Sequence, residues 1–187
     1  MGVLVYFYRL GAHMYIRRIY DGYHTTESEQ RSPSSYSAYA QFRSRAVIAT
    51  RALVQRVTRA SVDVGERQVA AIGPGMLVLL GISREDDAAA ADRLAEKVRA
   101  LRIFADAGGR MNEPLGEREI LCVSQFTLYG DTRKGNRPSF VAAAPGEQAE
   151  PLYERFCERA GAARGEFGAH MSVGLVNDGP VTVLVET

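Results

Sequence analysis

Asn177-Asp178-Gly179-Pro180-Val181-Thr182 lies near the C-terminus between two extended apolar runs, Met171 to Val176 and Val181 to Val185. Asn, Asp and Gly accept left-handed backbone at little cost, so the stretch predicts a tight turn joining two strands. Pro180 makes that turn unusual. It has no N–H to give to a sheet ladder, and X-Pro is the common place for a cis peptide. A Gly-Pro unit here can hold two neighbouring carbonyls in a fixed, exposed direction. A plain hairpin turn and a rigid recognition element both fit the pattern.

Working back through the chain, regularity begins at Arg51. Ala52 to Thr58 and Ser61 to Val64 predict short strands. Gly65-Glu66-Arg67 predicts a turn, with Gln68 to Ile72 returning as hairpin partner. Met76 to Ile82 is apolar without alternation, as expected of a strand buried on both faces. Ser83-x-x-Asp86 resembles a capping box ahead of a helix over about 86–101, with Ala91, Leu94, Ala95, Val98 and Leu101 on one face. Further strands are expected at Ile103-Phe104 and over Ile120 to Leu128. A second helix is expected over Glu147 to Ala160, with Leu152, Phe156 and Ala160 inward. Strands outnumber helices, which predicts an α+β fold with a mixed, curved, barrel-like sheet covered by two main helices.

Residues 1–50 differ from the rest. They hold seven of the nine tyrosines and six arginines against three acidic residues, a net charge of +3. No clean period emerges, and a poorly ordered extension that the domain at 51–187 does not need is the expectation. The remaining residues carry 17 basic and 19 acidic side chains, so nucleic-acid binding would need a local basic patch. No apolar run approaches the ~20 residues of a membrane helix. Cys122 and Cys157 are too few for a disulfide framework and lack metal-ligand spacing, which points to buried free thiols and a reducing cytoplasm.

Chemistry-bearing patterns are sparse. In Ser124-Gln125-Phe126-Thr127-Leu128 an apolar strand turns polar around a phenylalanine. Strand alternation would put Ser124 and Phe126 on one face and Gln125 and Thr127 on the other. A solvated edge strand and a strand end facing a pocket both fit. Thr127 lacks a neighbouring base that would make its hydroxyl a good nucleophile. Arg133-Lys134-Gly135-Asn136-Arg137 is a compact basic loop, either simply solvated or placed to meet phosphates. His170 stands alone, and no metal or cofactor motif is present. An enzyme with this inventory must rely on positioning and oriented backbone dipoles.

Taken together, Ser124-Gln125-Phe126-Thr127 and Asn177-Asp178-Gly179-Pro180-Val181-Thr182 resemble the two signatures of the D-aminoacyl-tRNA deacylases, in that family's order. The resemblance spans Arg51 to Thr187. Gln55-Arg56-Val57, Arg102-Ile103-Phe104 with Met111-Asn112, Arg137-Pro138-Ser139-Phe140, and Phe167-Gly168-Ala169 with Met171 are collinear with it. Thr50-Arg51 stands where the family has Met-Arg, and Arg164-Gly165 where many members have Thr-Gly.

The resemblance implies a homodimer that needs no cofactor and hydrolyses the ester between a D-amino acid and the 3′ end of tRNA. Ser124, Gln125, Phe126 and Thr127 would form the catalytic turn. Asn177, Gly179, Pro180 and Thr182 would contact substrate, with a cis Gly179-Pro180 peptide inserted into the partner's pocket to bar L side chains. Glycyl-tRNA, with no side chain to clash, would be accepted in part. Arg133, Lys134 and Arg137 would meet RNA. A non-catalytic binder of D-amino acids or RNA ends, and a metal hydrolase built on His170, are the rival expectations.

Overall fold

The structure is a computed structural model and describes residues 4–10, 13–19 and 50–187. Most of the N-terminal extension expected over 1–50 therefore lies outside the described residues. Its two described stretches, β1 (Leu4–Leu10) and β2 (His13–Ile19), pair antiparallel, and β1 lies along the outer edge of the last strand.

The domain is α+β. Its mixed, barrel-like sheet runs in the order β2, β1, β10 (Met171–Glu186), β3 (Arg51–Val64), β5 (Gly75–Gly81), β8 (Glu119–Ser124), β9 (Ala163–Arg164), with β4 (Arg67–Ile72) also pairing β3. The central strand β3 (Arg51–Val64) is one long strand rather than the two short ones expected. Its first half pairs with β5 (Gly75–Gly81), and its second half turns back through Gly65 and Glu66 to β4 (Arg67–Ile72). Strand β8 (Glu119–Ser124) is parallel to β5, and the short β9 (Ala163–Arg164) is parallel to β8. Because β4 comes round against β8 and β9, the sheet curls on itself. A separate two-stranded ribbon, β6 (Phe104–Ala105) with β7 (Met111–Glu113), completes the strands before β10.

Helix α1 (Ala88–Arg99) buries Ala91, Leu94, Ala95 and Val98, the stripe that the period of 3.6 predicts. Its N-cap is Asp87, whose carboxylate accepts from the Ala90 N–H at 2.7 Å. The expected Ser83–Asp86 capping box is instead a local turn just upstream, in which the Ser83 N–H donates to Asp86 Oδ2 at 2.7 Å. Helix α2 (Gly146–Ala160) packs beside α1 and buries Tyr153, Phe156, Cys157 and Ala160. A bidentate Arg155–Asp92 pair and an Arg159–Glu96 pair cross between the helices at 2.6 and 2.5 Å. Both helices cover one sheet face, where Val54, Met76, Val78, Ile120 and Cys122 meet Leu94, Val98 and Phe156 in the main core. A second cluster around Val57, Val62, Leu77 and Leu121 fills the opposite face, which explains why β5 reads as continuously apolar. Cys122 and Cys157 are buried and free, as expected. Among the described residues no helix is long and apolar enough to cross a membrane.

The Asn177–Thr182 stretch corrects the expectation of a hairpin turn. Met171–Glu186 is a single strand, β10, and both of its halves pair with β3. Asn177 faces Val57 and Thr182 faces Gln55, so four residues, 178–181, stand opposite Arg56 alone. The motif is a wide bulge thrown out of an otherwise unbroken ladder.

Candidate active site

The first half of the site is the end of β8. Alternation stops at Ser124, and Phe126–Tyr129 form a single 3₁₀ turn, so the expected two-faced strand through Leu128 is not formed. The turn is fastened to the end of β5. Gln125 N–H donates to the Leu80 carbonyl at 2.7 Å, and the buried Tyr129 hydroxyl donates to the Gly81 carbonyl at 3.4 Å. Gly81 permits this approach. A Cβ there would stand 3.0 Å from the Tyr129 ring and 3.2 Å from the Gln125 carbonyl. Leu128 N–H closes the turn onto the Gln125 carbonyl at 3.2 Å, and Gly130 N–H onto Thr127 at 3.0 Å. The N–H groups of Phe126 and Thr127, first in the turn, have no acceptor within it and are left as donors.

Ser124, Gln125 and Phe126 line a cavity of about 320 Å³. Leu80 and Ile82 around the end of β5, Ala144, Gly146 and Ala149 around the start of α2, and Phe167 to Ala169 with Met171 complete the lining. The walls are held by backbone and side-chain bonds. Ala144 N–H donates to the Ile82 carbonyl at 2.9 Å, and Tyr153 Oη–H reaches the carbonyls of Cys122 at 2.9 Å and Gly165 at 3.3 Å. Burial pushes the Tyr153 hydroxyl far above the usual phenol range, so it remains a donor. Thr127 is exposed and is not among the residues that line the cavity, and its Oγ1 accepts a hydrogen bond from the Gln125 side-chain amide. An amide donor cannot deprotonate that hydroxyl.

The basic loop hangs next to the turn. Asp131 and Ser139 exchange two backbone bonds of 2.8 and 2.9 Å at its base, and the Phe140 ring meets the exposed Phe126 ring edge-on at 5.1 Å. Arg133 lies across the Asp131 carboxylate at 2.7 and 2.9 Å and holds that group well below the usual carboxylate range. Lys134 and Arg137 are exposed, and among the described residues neither has an ion-pair partner.

The second half of the site is the bulge. Asn177 Nδ2 donates to the Arg56 carbonyl at 2.9 Å and the Val181 carbonyl at 3.2 Å, which staples its two ends. Arg56 Nε reaches the Asp178 carbonyl at 3.1 Å and its carboxylate at 2.9 Å, while Nη1 is anchored on the Ile103 carbonyl at 2.5 Å. Gln55 Nε2 donates to Thr182 Oγ1 at 3.3 Å. Asn177, Asp178 and Gly179 are exposed. The bulge is thus rigid and outward-facing. The stapling roles of Gln55 and Arg56 escape a reading of local pattern, because they depend on which strand lies opposite.

Within one protomer the two halves do not meet. Ser124 shares a row with Leu80, Ala52 and Val185, whereas the bulge stands at the row of Arg56, Met76 and Ile120. That is roughly four residues, ~13 Å, along the strands and three strand spacings, ~14 Å, across them. Met171 gives the same answer, since it lines the cavity while Asp178 begins seven residues, ~23 Å, further along β10. His170 is exposed, and among the described residues no three potential metal ligands converge.

A curled mixed sheet under two helices, with a donor-bearing turn at a strand end and a stapled bulge on β10, defines an α+β domain that presents main-chain donors and carbonyls at two separate places. The sequence profile of the family D-Tyr-tRNA(Tyr) deacylase matches residues 53–186. The D-aminoacyl-tRNA deacylase of Symbiobacterium thermophilum is 59% identical over 144 residues, covering 73% of this chain and 95% of the relative. The corresponding protein of Myxococcus xanthus is 52% identical over 144 residues, covering 73% and 94%. A solved structure of a c-Myc DNA unwinding element binding protein superposes with a TM-score of 0.70 at 46% identity, covering 73% of this chain and 98% of that one. A probable eukaryotic D-amino acid tRNA deacylase shares the fold, with a TM-score of 0.65 at 18% identity over 74% of this chain and all of that one. The chain belongs to the D-aminoacyl-tRNA deacylase family, and by that membership it is a carboxylic-ester hydrolase.

Proposed function

We propose that the protein hydrolyses the ester linking a D-amino acid to the 3′ end of tRNA, as a homodimer in which each bulge enters its partner's cavity. The separation of the rigid bulge from the cavity within one chain carries this reading. Each protomer presents a probe at one end of its sheet and a receptacle at the other, and a second copy brings them together.

Chirality is then sensed by backbone. The carbonyls of Gly179 and Pro180, across a cis peptide, crowd the substrate Cα on the side where an L side chain would project. A pocket that merely contacts a methylene discriminates by about 1–3 kcal/mol, whereas a clash against stapled main chain rejects outright. Glycine has no side chain to clash, so glycyl-tRNA is cleaved as well.

For the chemistry, the Phe126 and Thr127 N–H groups hold the ester carbonyl oxygen and the negative charge it gains on attack. Ser124 and Gln125 order the cavity floor and the terminal adenosine. Water is the nucleophile, aided by the ribose 2′-OH, and collapse of the tetrahedral adduct expels the ribose 3′ oxygen, which takes up a proton. The hydrogen bond that Thr127 Oγ1 accepts from the Gln125 amide favours this route over attack by Thr127 itself. Lys134 and Arg137 meet tRNA phosphates, and residues 51–187 suffice for activity.

The deciding experiment is deacylation of matched D- and L-aminoacyl-tRNA with glycyl-tRNA alongside, using wild type and Thr127→Ala. Release from the D and glycyl substrates but not the L substrate is expected, with Thr127→Ala near wild type. Equal cleavage of D and L substrates sinks the filter. Loss of turnover in Thr127→Ala, or full turnover on a 2′-deoxy terminal adenosine, sinks the route.

A further inference from the structure

The donors of the 3₁₀ turn have their bases in only four residues, so something must keep so short an element in register. The structure assigns that task to Arg51: we propose that it is a positioning residue for the reaction, acting through the C-terminal end of the catalytic turn. This rests on the reading that the Phe126 and Thr127 N–H groups serve the ester oxygen.

Arg51 opens β3 and faces Gly81 on one side and Glu186 on the other. Its half-buried guanidinium makes three contacts with two elements, the turn and β10. Nη1 donates to the Leu128 carbonyl at 2.8 Å, Nε donates to Glu186 Oε1 at 2.8 Å, and Cζ lies over the Tyr129 ring, 4.8 Å from its centroid. The carbonyl of Leu128 is one of the groups a helix end leaves unpaired, and a cation is favoured there because the aligned peptide dipoles end negative. The same charge polarises the peptide units of the turn in the sense that strengthens the donors at its opposite end, where Phe126 and Thr127 lie. Stacking on Tyr129 presses the turn against β5, where Gly81 leaves room for it. Glu186 fixes the guanidinium fork so that its second edge points at Leu128.

Lysine cannot reproduce this. A point charge on a flexible stem can satisfy the Leu128 carbonyl or the Glu186 carboxylate but has no plane to lay on Tyr129. Glu186→Gln keeps an acceptor for Arg51 but weakens its anchoring. The proposal therefore orders the variants, with Arg51→Ala most affected, Arg51→Lys intermediate and Glu186→Gln least.

The test measures steady-state deacylation of D-aminoacyl-tRNA together with amide hydrogen exchange in the full chain. We expect Arg51→Ala to lower kcat by about tenfold or more, the worth of one charge-assisted hydrogen bond, with KM for the tRNA held within about twofold. Exchange at Leu128 and Gly130, whose N–H groups close the turn, should rise while exchange in β5 and α1 stays at the wild-type level. Arg51→Lys should recover part of both effects. Unchanged exchange at Leu128 and Gly130 overturns the positioning role whatever the activity. A kcat loss that the Lys variant does not relieve, or that tracks exchange across the whole domain, overturns it as well. If the exchange pattern appears but wild type itself releases no amino acid from D-aminoacyl-tRNA, the functional reading fails and the clamp on the turn stands.

Discussion

Gly179→Ala separates a steric account of the bulge from any other. A Cβ at this position would lie 2.5 Å from Asn177 Oδ1, well inside van der Waals contact. An exposed side-chain amide would ordinarily swing aside at little cost. Here it cannot, because Asn177 Nδ2 is committed to the carbonyls of Arg56 and Val181. Moving it gives up two neutral hydrogen bonds, roughly 1–3 kcal/mol together. If the bulge must be rebuilt before substrate is engaged, that is roughly 5- to 150-fold in kcat/KM. Global stability should change little, since Gly179 and Asn177 are exposed and belong to neither core. The assay is deacylation of D-aminoacyl-tRNA by the four members of a double-mutant cycle: wild type, Gly179→Ala, Asn177→Ala and the pair. With the amide already removed, the extra methyl has nothing to displace, so the pair should be no slower than Asn177→Ala alone. Strict additivity in that cycle would refute the reasoning, because the methyl would then be acting somewhere other than on Asn177.

Three further outcomes follow from the same geometry. Gly81→Ala should lower both thermal stability and turnover, by about 1–3 kcal/mol of overpacking, since its methyl meets the Tyr129 ring and the Gln125 carbonyl in a filled space; an unchanged melting temperature would show that the turn has slack. In a salt titration of KM for the tRNA, Lys134→Ala and Arg137→Ala should each flatten the slope by about one counterion. Arg133→Ala should do so less, because Asp131 already takes its charge, and a larger effect from Arg133 would contradict that pairing. Burial raises the Asp86 carboxyl above its ordinary value, against the opposing bond from the Ser83 N–H. The folded state therefore holds this proton more tightly than the unfolded one, and its contribution to stability falls as pH rises from the ordinary carboxylate range through the raised value, then levels. The melting temperature of wild type relative to Asp86→Asn, followed from acid to neutral pH, should drop across that window; a rise would reverse the assignment.

What could be read from the sequence depended on whether the cause was local. The α1 stripe from Ala91 to Val98 follows from helical period alone, and the run Met76 to Ile82 announces burial on both faces because any strand so placed must be apolar throughout. Asn177-Asp178-Gly179 was misleading for a physical reason. Residues that allow a reversing turn also allow a bulge, and the difference is whether the flanking halves pair with each other or with one common neighbour, here β3. That is settled many residues away, at Gln55 and Val57. Ser124 to Thr127 failed similarly, since alternation carried past the strand end assigns faces to residues that the 3₁₀ turn rotates away from them. Gly81 looks like any glycine closing a strand until Tyr129 is brought against it. The signature peptides are thus visible as words, while what makes them rigid is supplied by Arg51, Arg56 and Gly81 across strand contacts. For the proposed site, which works with main-chain groups, this division is expected: a backbone N–H or carbonyl is present at every residue, and only the tertiary frame that aims it distinguishes one from the rest.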